Sequence, residues 1–328
     1  MNRKTKIEVG RKTRLLALLQ PYGPVILVVL FAAVVAIINP RFLSIINIIN
    51  ISQQIVPVGI TSIGLMFVII SGGIDLSAGF GVSLSIVCTG IAFGMTNNIV
   101  VAVAASLVVG MLLGGFNALF ITGFGLQPFV VTLASMSVAQ GLAQLLSTGQ
   151  IVFFSHPFFS YLSRGRILYL PVSFLILIIL YAIAYLILNY SKLGAYTYAF
   201  GDNEEGAHLA GIAVNRYKTI LYILSGICMG LAAIIIISRI ALVAANLAGI
   251  SLLLDTVASV ILGGTSISGG AGTVEGTFVG VVLVGMISNA LNLLNVPPVF
   301  QDVFKGAVII AALYYQVLTK QVRSSRLK

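Results

Sequence analysis

Residues 168–190 read LYLPVSFLILIILYAIAYLILNY, and they run without a charge into residues 191–218, SKLGAYTYAFGDNEEGAHLAGIAVNRYK. At about 20 apolar residues per crossing, the first stretch is long enough to traverse a bilayer as one helix. The second is the one long polar island of the chain. It holds three of the eight acidic residues, Asp202, Glu204 and Glu205. An apolar span that ends in an organised charged segment puts that segment at a membrane face, where the chain meets something soluble.

Outward from this point the chain is close to continuous hydrocarbon. Of its 328 residues, 59% are hydrophobic and only 8% charged, with a mean hydropathy of +1.11. Soluble domains carry about a quarter charged residues, so a water-soluble fold is excluded. Thirty-four glycines and no tryptophan suit polytopic helices packed closely through small residues. A net charge of +10 raises nucleic acid as a partner, but the distribution of the charge argues against it. Six of the 18 basic residues (Arg3, Lys4, Lys6, Arg11, Lys12, Arg14) precede the first span, and four (Lys320, Arg323, Arg326, Lys328) follow the last. Basic ends around apolar spans predict that both tails, 1–21 and 319–328, are cytoplasmic, which requires an even number of crossings.

Counting at about 20 residues per crossing gives ten spans, at 22–38, 55–70, 78–95, 99–123, 128–147, 168–190, 219–243, 253–269, 274–294 and 299–318. Lys192, Arg216 and Lys218 then join the tails on the cytoplasmic side, together with the island 191–218. Arg41, Arg164 and Arg166 fall outside, and Arg239 and Lys305 fall within spans. No A-x-A site follows the first run, which predicts an uncleaved first helix in place of a signal peptide. The expected architecture is all-α and polytopic, a single transmembrane domain over 1–328.

The apolar pattern is interrupted where Pro57 enters a span and where SGGIDLSAGFG (71–81) brings in four glycines and one acid. Glycine clusters at membrane depth imply a broken or re-entrant helix, tolerated where protein or a water cavity satisfies the freed backbone. The second run recurs. Gly72-Gly73-Ile74-Asp75-Leu76-Ser77-Ala78-Gly79 aligns with Gly263-Gly264-Thr265-Ser266-Ile267-Ser268-Gly269-Gly270, and Asn117-Ala118-Leu119 echoes Asn289-Ala290-Leu291. Interrupted segments repeated in two halves predict an internal repeat and point to a transport path, although small-residue motifs also recur by chance in glycine-rich helices.

Covalent chemistry has no foothold. The Lys-Thr pairs at 4–5, 12–13 and 218–219 lack the glycines of a phosphate-cradling loop, and there is no H-E-x-x-H. Cys88 and Cys228 fall in apolar runs as small core residues and define neither a disulfide framework nor a metal site. His156 and His208 are isolated, and read as loop or surface residues. A membrane-embedded enzyme is therefore the weakest function class, and no metal or cofactor is expected on the chain itself.

The island has the grammar of a short helix. Asp202 is placed to cap it with Glu205 three residues on, and Glu204 and Glu205 occupy the first turn, where the helix dipole favours acids. Ala207, Leu209 and Ala210 keep the body small and apolar, and Gly211 is placed to end it. Such a helix is either a solvated connector or a knob that enters a groove on a partner protein.

Glu205-Gly206-Ala207-x-x-x-Gly211 is similar to the E-A-A-x-x-x-G coupling motif of ATP-binding cassette importer permeases. The longer run G-x-N-x-x-x-A-x-x-x-G-I-x-V-x-x-x-K, from Gly201 to Lys218, resembles the version in the branched-chain/ribose-type permease family. SGGIDLSAG (71–79), GLQPFVVTL (125–133) and LDTVASVILGGTSISGGAGTVEGTFVG (254–280) resemble the same family. Two positions depart from it. Ala210 stands where serine is common, and Gly206 replaces an alanine, which should loosen the helix by about 1 kcal/mol. The resemblance implies a bacterial plasma-membrane permease subunit with no ATPase site of its own. It would pair with a second, identical or related, permease chain. ATP and magnesium would bind separate cytoplasmic ATPase subunits, and an extracytoplasmic binding protein would deliver a monosaccharide, ribose-like or related. It also implies that Gly201, Asp202, Asn203, Glu204, Glu205, Gly206, Ala207, Gly211 and Ile212 couple the permease to the ATPase, whose closure rocks the spans between inward and outward access.

An acid at the bilayer centre costs about 2.5–3.5 kcal/mol, so Asp75, Asp255 and Glu275 are expected to face the bundle interior or a terminus. Asp75 and Asp255, with Gly72, Gly73, Ser77, Asn117, Gln140, Gly263, Gly264 and Asn289, make up the candidate translocation pathway. Gln144 and Asn292 are further polar candidates, and any of these amides can instead bond a neighbouring helix. Asp302 and Lys305, three apart, are expected to pair locally. The alternative function is an ion-coupled secondary transporter of a small polar solute, with Asp75, Asp255 or Glu275 carrying the ion. Such a carrier has no need of a docking helix.

Overall fold

The computed structural model describes residues 23–148, 152–154, 156–297, 299–308, 310 and 314. The two basic tails lie outside these residues. In chain order the helices are α1 (Gly23–Ile38), α2 (Ile45–Ile70), α3 (Ala78–Thr96), α4 (Ile99–Ala118), α5 (Pro128–Ser147), α6 (Pro157–Arg164), α7 (Val172–Tyr190), α8 (Lys192–Asp202), α9 (Glu204–Leu209), α10 (Val214–Ile240), α11 (Ile250–Leu262) and α12 (Val274–Leu293). The only strands among the described residues are two-residue pairs: β1 (Val152–Phe153) with β4 (Leu242–Val243), and β2 (Arg166–Ile167) with β3 (Leu170–Pro171). The all-α, polytopic expectation holds.

The count of ten spans does not. Among the described residues seven helices are long and apolar enough to cross a membrane: α2, α3, α4 with its π-helical extension to Gly123, α5, α7, α10 and α12. The expected span 253–269 fuses α11, of 13 residues, with a glycine-rich coil. At 1.5 Å per residue α11 reaches about 20 Å, short of a bilayer core of about 30 Å. Glycine, serine and threonine carry no charge, so the coil passes for apolar in a hydropathy count. The run 22–38 yields the 16-residue α1, and of the run 299–318 the described residues 299–308, 310 and 314 are helical. Pro57 does not stop α2, which begins ten residues before the expected 55, at Ile45, and continues to Ile70.

Small residues set the packing. α10 runs antiparallel to α4 through the middle of the molecule, in its most extensive helix pairing. Gly226 and Gly230, four apart on α10, face Gly110 and Ser106 on α4 so closely that an added Cβ would collide with backbone, and Ser106 Oγ donates to Gly230 O at 2.9 Å. This is the small-x-x-x-small contact of membrane helices, in which glycines let backbones approach. On the opposite flank α2 is antiparallel to α12, with Asn47 Nδ2 donating to Asn289 Oδ1 at 2.9 Å. The largely buried helices are α2, α10 and α12, whereas α1, α4, α5 and α7 turn Val29, Leu112, Val130 and Ile179 outward, each more than half exposed. Contiguous apolar surface of this extent is untenable in water and suits acyl chains.

Candidate functional site

The polar island folds as α8 and α9. Asn203, not Asp202, caps α9: its Oδ1 accepts the Gly206 N–H at 2.9 Å. The helix therefore starts one residue later than expected, with Glu204 and Glu205 in its first turn as foreseen. The same geometry gives Gly206 a purpose, because a Cβ there would lie 3.1 Å from the Asn203 amide group that makes the cap. At the other end Gly211 takes φ +81. The Gly211 N–H donates to His208 O at 3.0 Å and the Ile212 N–H to Ala207 O at 3.1 Å, a Schellman closure. Ala207 is buried, while Leu209, at 85% exposure, projects from the surface between His208 and Ala210. Lys218 on α10 reaches Glu204 at 2.7 Å and fastens the knob to the neighbouring helix, though an exposed pair of this kind contributes little. Asn203→Ala is expected to cost the helix about 1 kcal/mol. Backbone amides of 206–209 should then exchange about fivefold faster in hydrogen-exchange measurements.

Beneath the knob the two glycine-rich runs meet. α2 ends with Gly72 at φ +79, the Gly72 N–H donating to Ile69 O and the Gly73 N–H to Val68 O, both at 3.0 Å. α11 ends in the same way, with Gly264 at φ +89, its N–H donating to Ile261 O and that of Thr265 to Val260 O. The two breaks thus share a Schellman closure. Their register differs by one residue from the sequence alignment, Gly72 matching Gly264 and not Gly263. The second echo fails, because Asn117 lies on α4 whereas Asn289 lies on α12, the helix that follows the second break.

Both breaks close on Gly201 in the last turn of α8. A Cβ at Gly201 would strike Ile70 O and lie 2.9 Å from Gly270 N. One at Gly269 would lie 3.0 Å from Gly72, and one at Gly270 would lie 2.9 Å from Asp202. The Gly270 N–H donates to Ile70 O at 2.9 Å, so the second run is hydrogen-bonded to the end of α2 directly. Tyr198, one turn back on α8, donates its hydroxyl to Gly272 O at 2.6 Å. Burial, helped by Glu275, raises the phenol above its usual pKa and keeps it a donor.

Of the candidate pathway residues, Asp75, Ser77 and Asn117 come together, and the structure adds Ser225. Asp75 is fully buried in the break between α2 and α3. Its Oδ1 accepts from Ser77 Oγ at 2.6 Å and Ser77 N at 3.1 Å, and its Oδ2 accepts from Ser225 Oγ at 2.8 Å. Asn117 Nδ2 donates in turn to Ser77 Oγ at 2.9 Å. Tyr222, a turn before Ser225 on α10, presses against the same break, and a Cβ at Gly73 would stand 2.6 Å from its hydroxyl. Neither Ser225 nor Tyr222 announces itself in sequence, being single polar atoms within an apolar run.

Asp255 sits elsewhere, on α11, where Lys305 Nζ reaches it at 3.0 Å and also donates to Ser251 Oγ at 3.0 Å. The local pair expected between Asp302 and Lys305 is a loose 3.9 Å contact, because Lys305 turns to the more buried Asp255. A cavity of about 200 Å³ opens beside Asp255, at the junction of α2, α10 and α11. Glu275 occupies the exposed first turn of α12, behind the Thr273 cap. Of the remaining candidates, Asn289 serves the α2–α12 contact and Gln140 is half-buried on α5 outside the Asp75 cluster. Gln144 is exposed, and Asn292 accepts from Gln301 at 2.9 Å. His156 caps α6 and His208 lies exposed in the last turn of α9, as loop and surface residues would.

The model of the family described as branched-chain amino acid transport system / permease component matches residues 47–313. The ribose import permease protein of Bacillus subtilis is 38% identical over 299 residues, covering 90% of this chain and 92% of that protein. That of Haemophilus influenzae is 35% identical over 292 residues, 88% of this chain and 90% of its own. The L-arabinose transport system permease protein of Escherichia coli is 32% identical over 294 residues, 90% and 89% of the two chains. No solved structure matches the chain.

Proposed function

This chain belongs to the branched-chain amino acid transport system / permease component family, and on that premise we propose that it works as the membrane-spanning subunit of an ATP-binding cassette importer for a monosaccharide. It is a multi-pass protein of the bacterial inner membrane. The sugar is ribose-like or a related pentose or hexose, in keeping with the relatives named for ribose and L-arabinose. The whole chain acts as one permease domain that supplies the path, while ATP and magnesium act on cytoplasmic ATPase subunits. An extracytoplasmic binding protein hands over the sugar, and a second permease chain completes the pathway. Both basic tails and the α8–α9 island face the cytoplasm.

One observation carries this reading: the exposed knob formed by α9 stands, through Gly201, on the junction where both glycine-rich breaks close. A push on the knob reaches the end of α2 and the coil at Gly269–Gly270 that follows α11 through backbone-to-backbone contact, with no flexible side chain to absorb it. Close-packed interfaces of this kind switch between discrete arrangements and do not deform continuously. We take Gly201, Asp202, Asn203, Glu204, Glu205, Gly206, Ala207, Gly211 and Ile212 as the coupling surface, and the two Schellman-closed breaks as the moving halves of a repeat. The ion-coupled carrier has less behind it. Asp75 is engaged by two serine hydroxyls and a backbone N–H, and Asp255 by Lys305.

Purification of the complex tests the assignment. Glu205 is exposed in the first turn of α9, so Glu205→Lys reverses charge on the docking face without touching the core. The ATPase retained by the permease should drop at least about tenfold, the loss of roughly 1.4 kcal/mol of docking energy. The variant should still elute as a folded membrane protein. Accumulation of sugar by the lone chain under a proton gradient would overturn the assignment.

A further inference from the structure

We infer that the cavity between α2, α10 and α11 is a holding site for the sugar within the membrane, with Arg239 and Gln54 as its donors and Asp255 and Ser251 as its acceptors. The inference rests on the importer reading above and extends it to residues outside both the coupling surface and the Asp75 cluster. The cavity of about 200 Å³ takes Gln54 from α2, Arg239 from α10, and Ser251 and Asp255 from α11, against an apolar wall that includes Pro57 and Leu252. Four polar side chains from three helices converge on one space, in a region where stray polarity is expensive.

Arg239 is the informative member. It stands exposed one residue from the end of α10, lines the cavity, and among the described residues pairs with no carboxylate. The helix dipole favours a cation at this end, and without a counter-ion the N–H groups of the guanidinium stay open to a ligand. Asp255 lies close by, yet its carboxylate is already taken up by Lys305 at 3.0 Å. The lysine therefore fixes Asp255 as a charged acceptor at the cavity wall, and Arg239 is left as a donor for something else. A neutral polyol fits this combination, because every hydroxyl both gives and accepts a hydrogen bond. A free anion would meet Asp255 and a free cation would meet Arg239, so the site discriminates against both. Among the described residues no aromatic ring lines the cavity to stack on a sugar face. Binding there is accordingly weak, as a transit site requires if the cargo is to leave as readily as it enters.

The test uses the assembled transporter in liposomes, with its ATPase and its binding protein. Uptake of an aldopentose is compared with uptake of its singly deoxygenated analogues for wild type, Arg239→Ala, Arg239→Lys, Gln54→Ala and Ser251→Ala. Each variant is scored as its ratio to wild type for the same sugar, which cancels the preference of the binding protein. The expected result for Arg239→Ala is about a tenfold loss for the full sugar, as for one charge-assisted hydrogen bond, and less than twofold for the analogue that lacks the hydroxyl it contacts. Arg239→Lys should restore part of the uptake, and Gln54→Ala and Ser251→Ala should each single out an analogue of their own. Equal losses for every sugar, or no loss at all, would refute the site while leaving the importer reading intact. If the wild-type complex moves no sugar whatever, the importer reading fails and the site falls with it.

Discussion

Gly201→Val is expected to abolish sugar uptake, by more than about a hundredfold, and to lower the stability of the detergent-solubilised permease by about 3 kcal/mol. A first methyl at 201 already strikes Ile70 O and stands 2.9 Å from Gly270 N. These two atoms are hydrogen-bonded to each other at 2.9 Å, so valine must break that bond or lift α8 away from it. Backbone obstructs on both sides, and no rotamer change gives relief. Separating α8 from the breaks removes the mechanical link proposed between the knob, the end of α2 and the glycine coil that follows α11, which is why transport should suffer more than folding. The control is Gly115→Ala on α4, where nothing lies within 4 Å of the added Cβ. That change should leave both uptake and the thermal midpoint where they were. If the two substitutions behave alike, force does not pass through Gly201.

The sequence made parts of this arrangement legible and concealed others for definable reasons. Spans 99–123 and 128–147 come out to the residue, because Asn98 caps one helix, Pro128 opens the other, and the intervening FGLQ (124–127) breaks the helical run. The island helix was readable from its acids and from Gly211, yet its cap fell one residue off. Asp202 and Asn203 have equal capping chemistry, and only the chain path selects between them. The glycine breaks were visible as composition, but composition does not say which of two adjacent glycines takes the positive φ. That choice shifts the register by one. Ser225, which donates to Asp75, lies 150 residues downstream of it, Asn117 lies 40 beyond the Ser77 it holds, and Lys305 lies 50 beyond Asp255. No local rule reaches across such distances. Asn289 shows the converse: its polarity suggested a path-lining role, whereas its Oδ1 accepts from Asn47 and helps hold α12 to α2.

Asp75→Ala is expected to destabilise the permease by about 2 kcal/mol and to cut uptake at least tenfold. The carboxylate accepts from Ser77 N, Ser77 Oγ and Ser225 Oγ in a fully buried setting. Its removal orphans three donors at once. Each buried donor left unpaired costs about 1–3 kcal/mol, but the two serine hydroxyls can swing to helix carbonyls, as serines in membrane helices do. The Ser77 N–H is fixed in the break and has no such recourse, which sets the estimate near the cost of one fully orphaned group with a smaller contribution from the others. Ser77 also loses its orientation towards Asn117, so the break is freed from α4 and α10 together. Asp75→Asn separates bonding from charge: it keeps one carbonyl oxygen for Ser77, and Ser225 need only reverse its hydroxyl to accept from the new amide. The loss should then be about 1 kcal/mol, with uptake within a few fold of wild type. Thermal melts of the purified permease and uptake into liposomes decide between the two outcomes. Were the asparagine variant as stable as wild type yet unable to transport, the negative charge itself would be the working element, and the ion-carrying mechanism would have to be reinstated.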